Sequence, residues 1–250
     1  MTPQPTQEYE VRIGETEKII VPDGDKSLTF AYLAKNREYY GNVMKRILDD
    51  NLKIPTGEQT ASLLHAAYFG SNKFLTSVQM SKIRDNFIEG GIWVANKTLW
   101  IPEKQENAGV FVVYDEKGVG GEEELSQGEL EKTLEDGEEV DINGTKIRVS
   151  QDRKVRFAPR DSYRGGIQGS EDLARNGFVI ASYLEGANKL AHFSNFFDYV
   201  PSVLIMDPTT PIQRVSAIGG INHMIRVYGN LLTSDLNCHA FGVLDSGEKK

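Results

Sequence analysis

Apolar residues recur along the chain at two different spacings, and one of these spacings predicts helices. Between about Phe30 and Asn51 they recur every three or four residues, as in an amphipathic helix. Three further helix starts are predicted by capping boxes, in which a Ser or Thr and a Glu or Gln three residues later bond each other's amide N–H. These boxes are Thr56 with Gln59, Thr76 with Gln79, and Ser126 with Glu129. A short helix capped by Ser170 and a helix over residues 185–197 are also predicted.

Alternating or β-branched apolar runs predict strands in much of the remaining chain. A hairpin is predicted from Thr145–Val149 and Lys154–Ala158. The other predicted strands are Glu8–Ile13, Lys18–Val21, Ile92–Ile101, Val110–Tyr114, Phe178–Leu184, Val203–Met206, Arg214–Ile218, Met224–Tyr228 and His239–Leu244. Helices and strands come in separate batches, so we predict an α+β fold in which several helices pack a mixed or mainly antiparallel sheet around a single main core.

The composition is that of an ordinary globular protein. The chain has 250 residues, of which 39% are hydrophobic and 26% are charged. We expect one domain over residues 8–250, after a polar and disordered amino terminus of residues 1–7. The sequence shows no targeting segment, its apolar runs are shorter than a membrane helix, and Cys238 is its one cysteine. We therefore expect a soluble, cytoplasmic protein that has no membrane partner.

Charge is distributed unevenly along the chain. Residues 115–141 hold 12 acidic and two basic residues, a balance of −10, whereas the whole chain carries −8, so the rest carries +2. This segment is predicted to be an acidic surface insertion. Residues 142–164 hold seven basic and two acidic residues, a balance of +5. Either the two segments neutralise each other or an acidic lobe lies beside an anion site. The acidic overall balance makes nucleic acid an unlikely partner.

The predicted hairpin separates apolar from basic side chains, because successive residues of a strand face opposite ways. The core face is assigned Ile147, Val149, Val155 and Phe157. The basic face is assigned Lys146, Arg148, Lys154 and Arg156. A turn of three or five residues would keep these faces intact and set Arg148 opposite Lys154 or Arg156, which costs up to about 1 kcal/mol. The alternatives for this face are plain solvation, pairing with the acidic segment, a ligand phosphate and RNA.

A glycine-rich segment that follows the hairpin is the second candidate anion site. Glycines let backbone amides approach an anion, a helix start adds unpaired N–H groups, and arginine offers a planar fork. The predicted ligand-binding residues are Arg156, Arg160, Arg164, Gly165, Gly166, Gly169 and Ser170. The segment matches neither a P-loop nor a dinucleotide fingerprint, and Glu171 and Asp172 would compete with an anion. The alternative is a turn followed by a helix cap.

Catalytic and metal sites have weaker support in the sequence. His65, His192, His223 and His239 show no metal-ligand spacing, so no metal site is predicted. Cys238 could act as a nucleophile only with a distant histidine as its base, since its neighbour His239 would point the opposite way along a strand. The sequence assigns no catalytic residue and no cofactor.

Two stretches resemble a group of uncharacterised archaeal proteins. They are Ile54–Tyr68 (IPTGEQTASLLHAAY) and Asn176–Ala191 (NGFVIASYLEGANKLA). The resemblance implies no activity. The residues themselves predict a small-molecule binding protein, or an enzyme, for a ligand that bears phosphate or carboxylate. The alternative is a non-enzymatic interaction module that docks a protein partner through its acidic lobe or basic hairpin.

Overall fold

The computed structural model describes residues 11–12, 18–23, 26–69, 78–105, 107–120 and 123–244. The helices in this part of the chain are α1 (Tyr40–Asp49), α2 (Gly57–Phe69), α3 (Val78–Glu89), α4 (Gln127–Thr133), α5 (Ser170–Arg175), α6 (Gly177–Tyr183) and α7 (Gly186–Phe196). The strands are β1 (Val11–Arg12), β2 (Lys18–Asp23), β3 (Lys26–Glu38), β4 (Ile92–Ile101), β5 (Gly109–Tyr114), β6 (Glu138–Ile142), β7 (Thr145–Val149), β8 (Val155–Pro159), β9 (Gly166–Ile167), β10 (Val200–Leu204), β11 (Ile212–Ile221), β12 (Met224–Leu231) and β13 (Cys238–Leu244). The predicted disordered segment, residues 1–7, lies outside the described residues.

The strands join in one mixed sheet of order β1-β2-β3-β13-β4-β11-β12-β10-β9. A branch leaves this path at β4, where β5 pairs with both β4 and β8, and β7 and β6 follow. Among the described strands, β10 runs parallel to β12 and β13 meets β4 in parallel at one residue pair, and the other pairs are antiparallel. The predicted α+β class and mainly antiparallel sheet are therefore confirmed.

Strand β4 lies at the centre of the core, and all ten of its residues are buried. Val94 and Trp100 belong to the main hydrophobic cluster, which also takes in side chains of α2, α6 and α7. Trp93 and Ala95 point the opposite way, into a second cluster with α1. Because both faces of β4 are covered, its two ends are continuously apolar rather than alternating, and the polar residues Asn96, Lys97 and Thr98 at its centre are buried as well.

Two predicted elements are wrong. The predicted helix of residues 30–51 is a strand, β3, followed by α1, which begins only at Tyr40. Since β3 pairs with β2 on one side and β13 on the other, sheet pairing overrides the local helical spacing. The predicted strand Phe178–Leu184 is the helix α6. Its residues are all buried, and a short run that is apolar all round has no period to distinguish a helix from a strand.

The predicted helix caps have different outcomes. The first capping box is confirmed, since Thr56 N–H donates to Gln59 Oε1 at 2.9 Å and Gln59 N–H donates to Thr56 Oγ1 at 3.2 Å. Helix α4 begins where predicted, although the Ser126 side chain makes no capping bond. Thr76 lies outside the described residues. Helix α5 begins at Ser170 itself, so its N-cap residue is Gly169 and not the predicted serine.

Candidate anion-binding pocket

The β7–β8 hairpin has a different register from the predicted one. Arg148 lies opposite Phe157, and Val149 lies opposite Arg156. The turn holds four residues, 151–154, because Ser150 N–H donates to the Val155 carbonyl at 2.8 Å. A turn of four residues, rather than three or five, shifts the register by one residue, so each apolar side chain of one strand lies on the same face as a basic side chain of the other. The prediction of one apolar and one basic face is therefore wrong.

Arg156 consequently points into the protein, where only 4% of its surface is exposed. Its Nη1 donates to the Ala181 carbonyl at 3.0 Å, and its Nε donates to the Arg153 carbonyl at 2.9 Å. Ala181 lies in the last turn of α6, where helix carbonyls lack an intrahelical partner. Burial lowers the pKa of Arg156 to about 10, so it stays charged at neutral pH. Arg156 thus caps a buried helix end.

The acidic segment lies against the basic hairpin. Its final part, β6, pairs with β7, which sets Glu139 opposite Arg148. The Lys146 ammonium lies 2.6 Å from the Glu139 carboxylate, and Lys154 lies 2.7 Å from Glu116. These hydrogen bonds raise the pKa of both lysines. Both lysines of the hairpin are therefore neutralised by glutamates of the acidic segment, which is one of the alternatives given for the uneven charge.

The three predicted arginines make separate contacts. Arg164 Nη2 lies 2.6 Å from Asp172 Oδ2 on the surface. Arg160 lies over the Tyr163 ring, at 5.3 Å from the ring centroid. The shallow pocket of about 490 Å³ beside Arg160 is also lined by Glu103 and Asp161, two carboxylates that oppose an anion. Neither Arg156 nor Arg164 lines that pocket.

The predicted glycines and serine occupy structural positions around the start of α5. Gly166 pairs with Val203 of β10. A Cβ added to Gly165 would lie 2.8 Å from the Ile205 side chain. Gly169 precedes α5, and Ser170 is its first residue. Close packing against Ile205 accounts for Gly165, and a positive φ of +91° accounts for Gly166. An anion-binding role for the segment stays a prediction.

Cys238 lies in the second hydrophobic cluster with no exposed surface. Burial raises the pKa of its thiol to about 12, so the thiol is protonated at neutral pH. A protonated thiol is a poor nucleophile. The structure therefore gives no support to a catalytic Cys238.

A larger cavity, of about 640 Å³, opens at the start of α1. Four parts of the chain that are separate in sequence form its walls. The lining residues are Tyr39, Gly41 and Asn42 at the start of α1, Val119 and Glu124 in the loop that follows β5, and Gln213, Arg214, Val215, Leu231, Leu232, Thr233 and Ser234 around β11 and the end of β12.

The amino-terminal end of α1 is uncapped by side chains. Tyr39, the N-cap residue, makes no side-chain capping bond, and the first turn holds no acidic residue. Tyr40 N–H donates to the Thr233 carbonyl at 3.1 Å. Within the described part of the chain, the amide N–H groups of Gly41 and Asn42 donate no hydrogen bond. The positive end of the helix dipole therefore faces the cavity with two free donors.

Arg214 supplies a full positive charge to the same cavity. Its Nη1 donates to the neighbouring Gln213 carbonyl at 2.7 Å, and no carboxylate of the described residues lies within ion-pair distance of its guanidinium. Glu124, which also lines the cavity, is exposed. Among the described residues, the cavity thus combines an arginine without an acidic partner and an open helix start.

A hydrogen-bond network fixes the loop that forms the far wall. Gly120, at φ +58°, donates its N–H to Asp115 Oδ2 at 2.7 Å. The same carboxylate oxygen accepts from the Tyr40 hydroxyl at 3.1 Å, which ties the loop to α1. Gln213 Nε2 donates to the Gly120 carbonyl at 3.2 Å, and its Oε1 accepts from Leu125 N–H at 2.8 Å. These polar contacts therefore fix the position of the loop beside the cavity.

Sequence reasoning did not find this pocket. A helix over residues 30–51 would place Gly41 in its middle, whereas the structure puts Gly41 in the first turn of α1. One local feature of the sequence indicates the uncapped helix start. The segment YYGN, residues 39–42, precedes the apolar residues of α1 and contains no acidic residue. The contribution of Arg214 depends on the fold and has no sequence signal.

Comparison with known proteins gives little further information. No protein-family model matches the chain, and no curated protein does. The chain is similar to a solved structure described as "Accommodation of massive sequence variation in Nanoarchaeota by the C-type lectin fold", with 12% identity and a TM-score of 0.46 over 84% of this chain and 96% of that one. At this level, the similarity assigns neither a fold family nor a function. Within the described residues, no helix is both long and apolar enough to span a bilayer.

Proposed function

We propose that the protein binds a small molecule bearing a carboxylate or a phosphate in the cavity at the start of α1. The observation that carries this proposal is the uncapped helix start beside Arg214. The cavity volume of about 640 Å³ is that of a small-molecule site, which typically measures about 300–1,000 Å³. The ligand class is the one expected from the sequence, at a different place in the fold.

Two kinds of donor would hold the anionic group. The free N–H groups of Gly41 and Asn42 and the helix dipole favour negative charge, as at other helix starts that bind phosphate. The guanidinium of Arg214 can donate two parallel hydrogen bonds to a carboxylate or a phosphate. A Cβ added to Gly41 would meet no atom within 4 Å, so the space beside these amides is open.

The remaining lining suits the uncharged part of a ligand. The Tyr39 ring is half exposed, and Leu232 is 48% exposed, so an apolar or aromatic group could cover both. Thr233 and Ser234 offer hydroxyls. Glu124 disfavours a ligand with several negative charges. We therefore favour a ligand with one anionic group and an apolar body.

The test is a thermal-shift screen of small carboxylates, sugar phosphates and nucleotides at constant ionic strength. A ligand present at 100 times its Kd stabilises the folded state by about 2.7 kcal/mol, which raises Tm measurably. Arg214→Met should abolish the shift. Arg164→Met removes an arginine that is already paired with Asp172, so it should leave the shift intact.

A second pair of variants tests the helix start. Gly41→Asp places a carboxylate in the first turn of α1, where it competes with the ligand and stabilises the helix dipole. It should abolish ligand binding without lowering Tm, whereas Gly41→Ala, which fits the open space, should still bind. If no ligand shifts the wild type, or if Arg164→Met and not Arg214→Met removes the shift, the proposal is wrong.

A further inference from the structure

Two histidines that are 127 residues apart in sequence meet on the surface between α2 and α7. His65 Nε2 lies 3.0 Å from His192 Nδ1. We infer that this pair is a two-imidazole site for a divalent transition-metal ion of the Cu²⁺ or Ni²⁺ kind. The site lies on helices that do not line the cavity at α1, so it is independent of the proposed ligand pocket.

Close packing of the two helices brings the histidines together. A Cβ added to Gly186, the first residue of α7, would lie 2.8 Å from the Ala61 side chain of α2. His65 follows Ala61 by four residues, so it lies one turn further along the same face of α2. The small residues at this crossing therefore determine that His65 and His192 can approach to hydrogen-bond distance.

The distance between the two nitrogens suits ligands at adjacent corners of a square. With metal–nitrogen bonds of about 2.0–2.1 Å, two ligands at a right angle have nitrogens about 2.9 Å apart, and two tetrahedral ligands have them about 3.3 Å apart. The observed 3.0 Å is closer to the right-angle value. Imidazole pairs with this geometry favour Cu²⁺ and Ni²⁺, and affinity is highest for Cu²⁺.

Aromatic packing holds both imidazoles in place. The Phe69 ring stacks on His65 and on His192, with ring centroids 4.5 Å apart in each pair and interplanar angles of 26° and 15°. Phe196 packs its edge against His192 at 6.3 Å. Rings fixed in this way have lost their rotational freedom before a metal arrives, which lowers the entropy cost of binding.

A positive charge lies beside the pair. Lys189, whose ammonium lies 2.6 Å from Ser62 Oγ on α2, repels a cation. Since His65 Nε2 and His192 Nδ1 share one hydrogen bond, one of them carries a proton, and binding of a metal by both moves that proton to the other nitrogen of the same ring. No group of three or more candidate ligands occurs among the described residues, so water or an external ligand would complete the coordination.

The test is Cu²⁺ titration of the full chain at pH 7, followed by calorimetry and electron paramagnetic resonance. We expect one tight equivalent whose spectrum shows coupling to two imidazole nitrogens. His192→Gln and His65→Gln should each weaken binding at least tenfold and remove one nitrogen coupling. His223→Gln, at an exposed histidine on another part of the surface, is the matched control and should leave both unchanged.

Circular dichroism of each variant separates lost binding from lost folding. His192 is exposed, so His192→Gln should remain folded. This variant therefore tests the metal site even if His65→Gln does not fold. Lys189→Gln should tighten Cu²⁺ binding, because it removes a like charge. If the wild type takes up no Cu²⁺, or binds it equally well after His192→Gln, the pair is only a hydrogen bond between two histidines and the inference is wrong.

Discussion

Replacing Arg156 by methionine tests the reversed hairpin register directly. Methionine keeps most of the side-chain volume and removes the donors to the Ala181 and Arg153 carbonyls. A buried carbonyl left without a partner costs about 1–3 kcal/mol. Loss of a cation at the carboxyl end of a helix destabilises the protein by up to about 2 kcal/mol more. Removal of a buried charge offsets part of this destabilisation, because the charge no longer has to be desolvated. We expect a net destabilisation of about 2–4 kcal/mol.

Arg148→Met is the matched control, because it makes the same change on the neighbouring strand. Arg148 is exposed and lies opposite Phe157, so its replacement should alter stability by no more than about 0.5 kcal/mol. The assay is equilibrium unfolding in urea, with both variants compared with wild type. Equal effects of the two substitutions, or a neutral Arg156→Met, would refute the register and the helix-capping role of Arg156.

Three further outcomes follow from contacts described above. Phe157 is only partly buried, and its ring packs on Phe111 with the centroids 4.7 Å apart. Phe157→Ala should therefore lower the free energy of unfolding in urea by about 1.5–3 kcal/mol, less than the loss of a fully buried aromatic ring. A loss above about 4 kcal/mol would contradict the partial burial of Phe157. The pKa of His65 is about 4 when folded and about 6.5 when unfolded, so the unfolded state binds more protons between these values and stability falls on acidification from pH 6.5 to 4. Allowing for partial exposure, the loss should be about 1–2 kcal/mol, and His65→Gln should show a flatter pH profile. Asp115→Asn removes a buried carboxylate 4.0 Å from the Lys97 ammonium, which keeps Glu123 at 3.4 Å, and weakens the hydrogen bonds that Asp115 accepts from Tyr40 and Gly120. It should cost about 1–2 kcal/mol by thermal unfolding, and an unchanged Tm would contradict these contacts.

Local patterns predicted the fold class and most strands, because alternation and turn residues act over short distances. The errors lie where distant parts of the chain decide. Nothing within β3 shows that β13 will pair with it, and nothing within α6 shows that it will be buried on every side. At the hairpin, the length of the turn determines which side chains share a face. The Ser150 side chain fixes a four-residue turn, because its Oγ accepts from Val155 N–H at 3.0 Å and donates to Asp152 Oδ1 at 2.7 Å.

Candidate sites were harder to predict than elements, for the same physical reason. The cavity at α1 is built from four segments. Its polar character depends on the uncapped start of α1 and on the position of Arg214, which only the assembled sheet determines. The pairing of His65 with His192 joins two helices across 127 residues. In contrast, the predicted anion site lay in one continuous segment, where Arg164 has a carboxylate partner of its own in Asp172.

The most direct test of the proposed ligand pocket is a nuclear magnetic resonance titration of ¹⁵N-labelled protein with inorganic phosphate at constant ionic strength. The decisive arm of this titration uses benzoate, which has one carboxylate and an apolar body, in place of phosphate. We expect saturable shifts of the Gly41 and Asn42 amide signals and of the Arg214 Nε–H signal, all with one Kd, and their loss in Arg214→Met. Signals of Gly165 and Gly166 should not follow that curve. Saturable shifts at the glycine-rich segment with none at Gly41 and Asn42 would contradict the account.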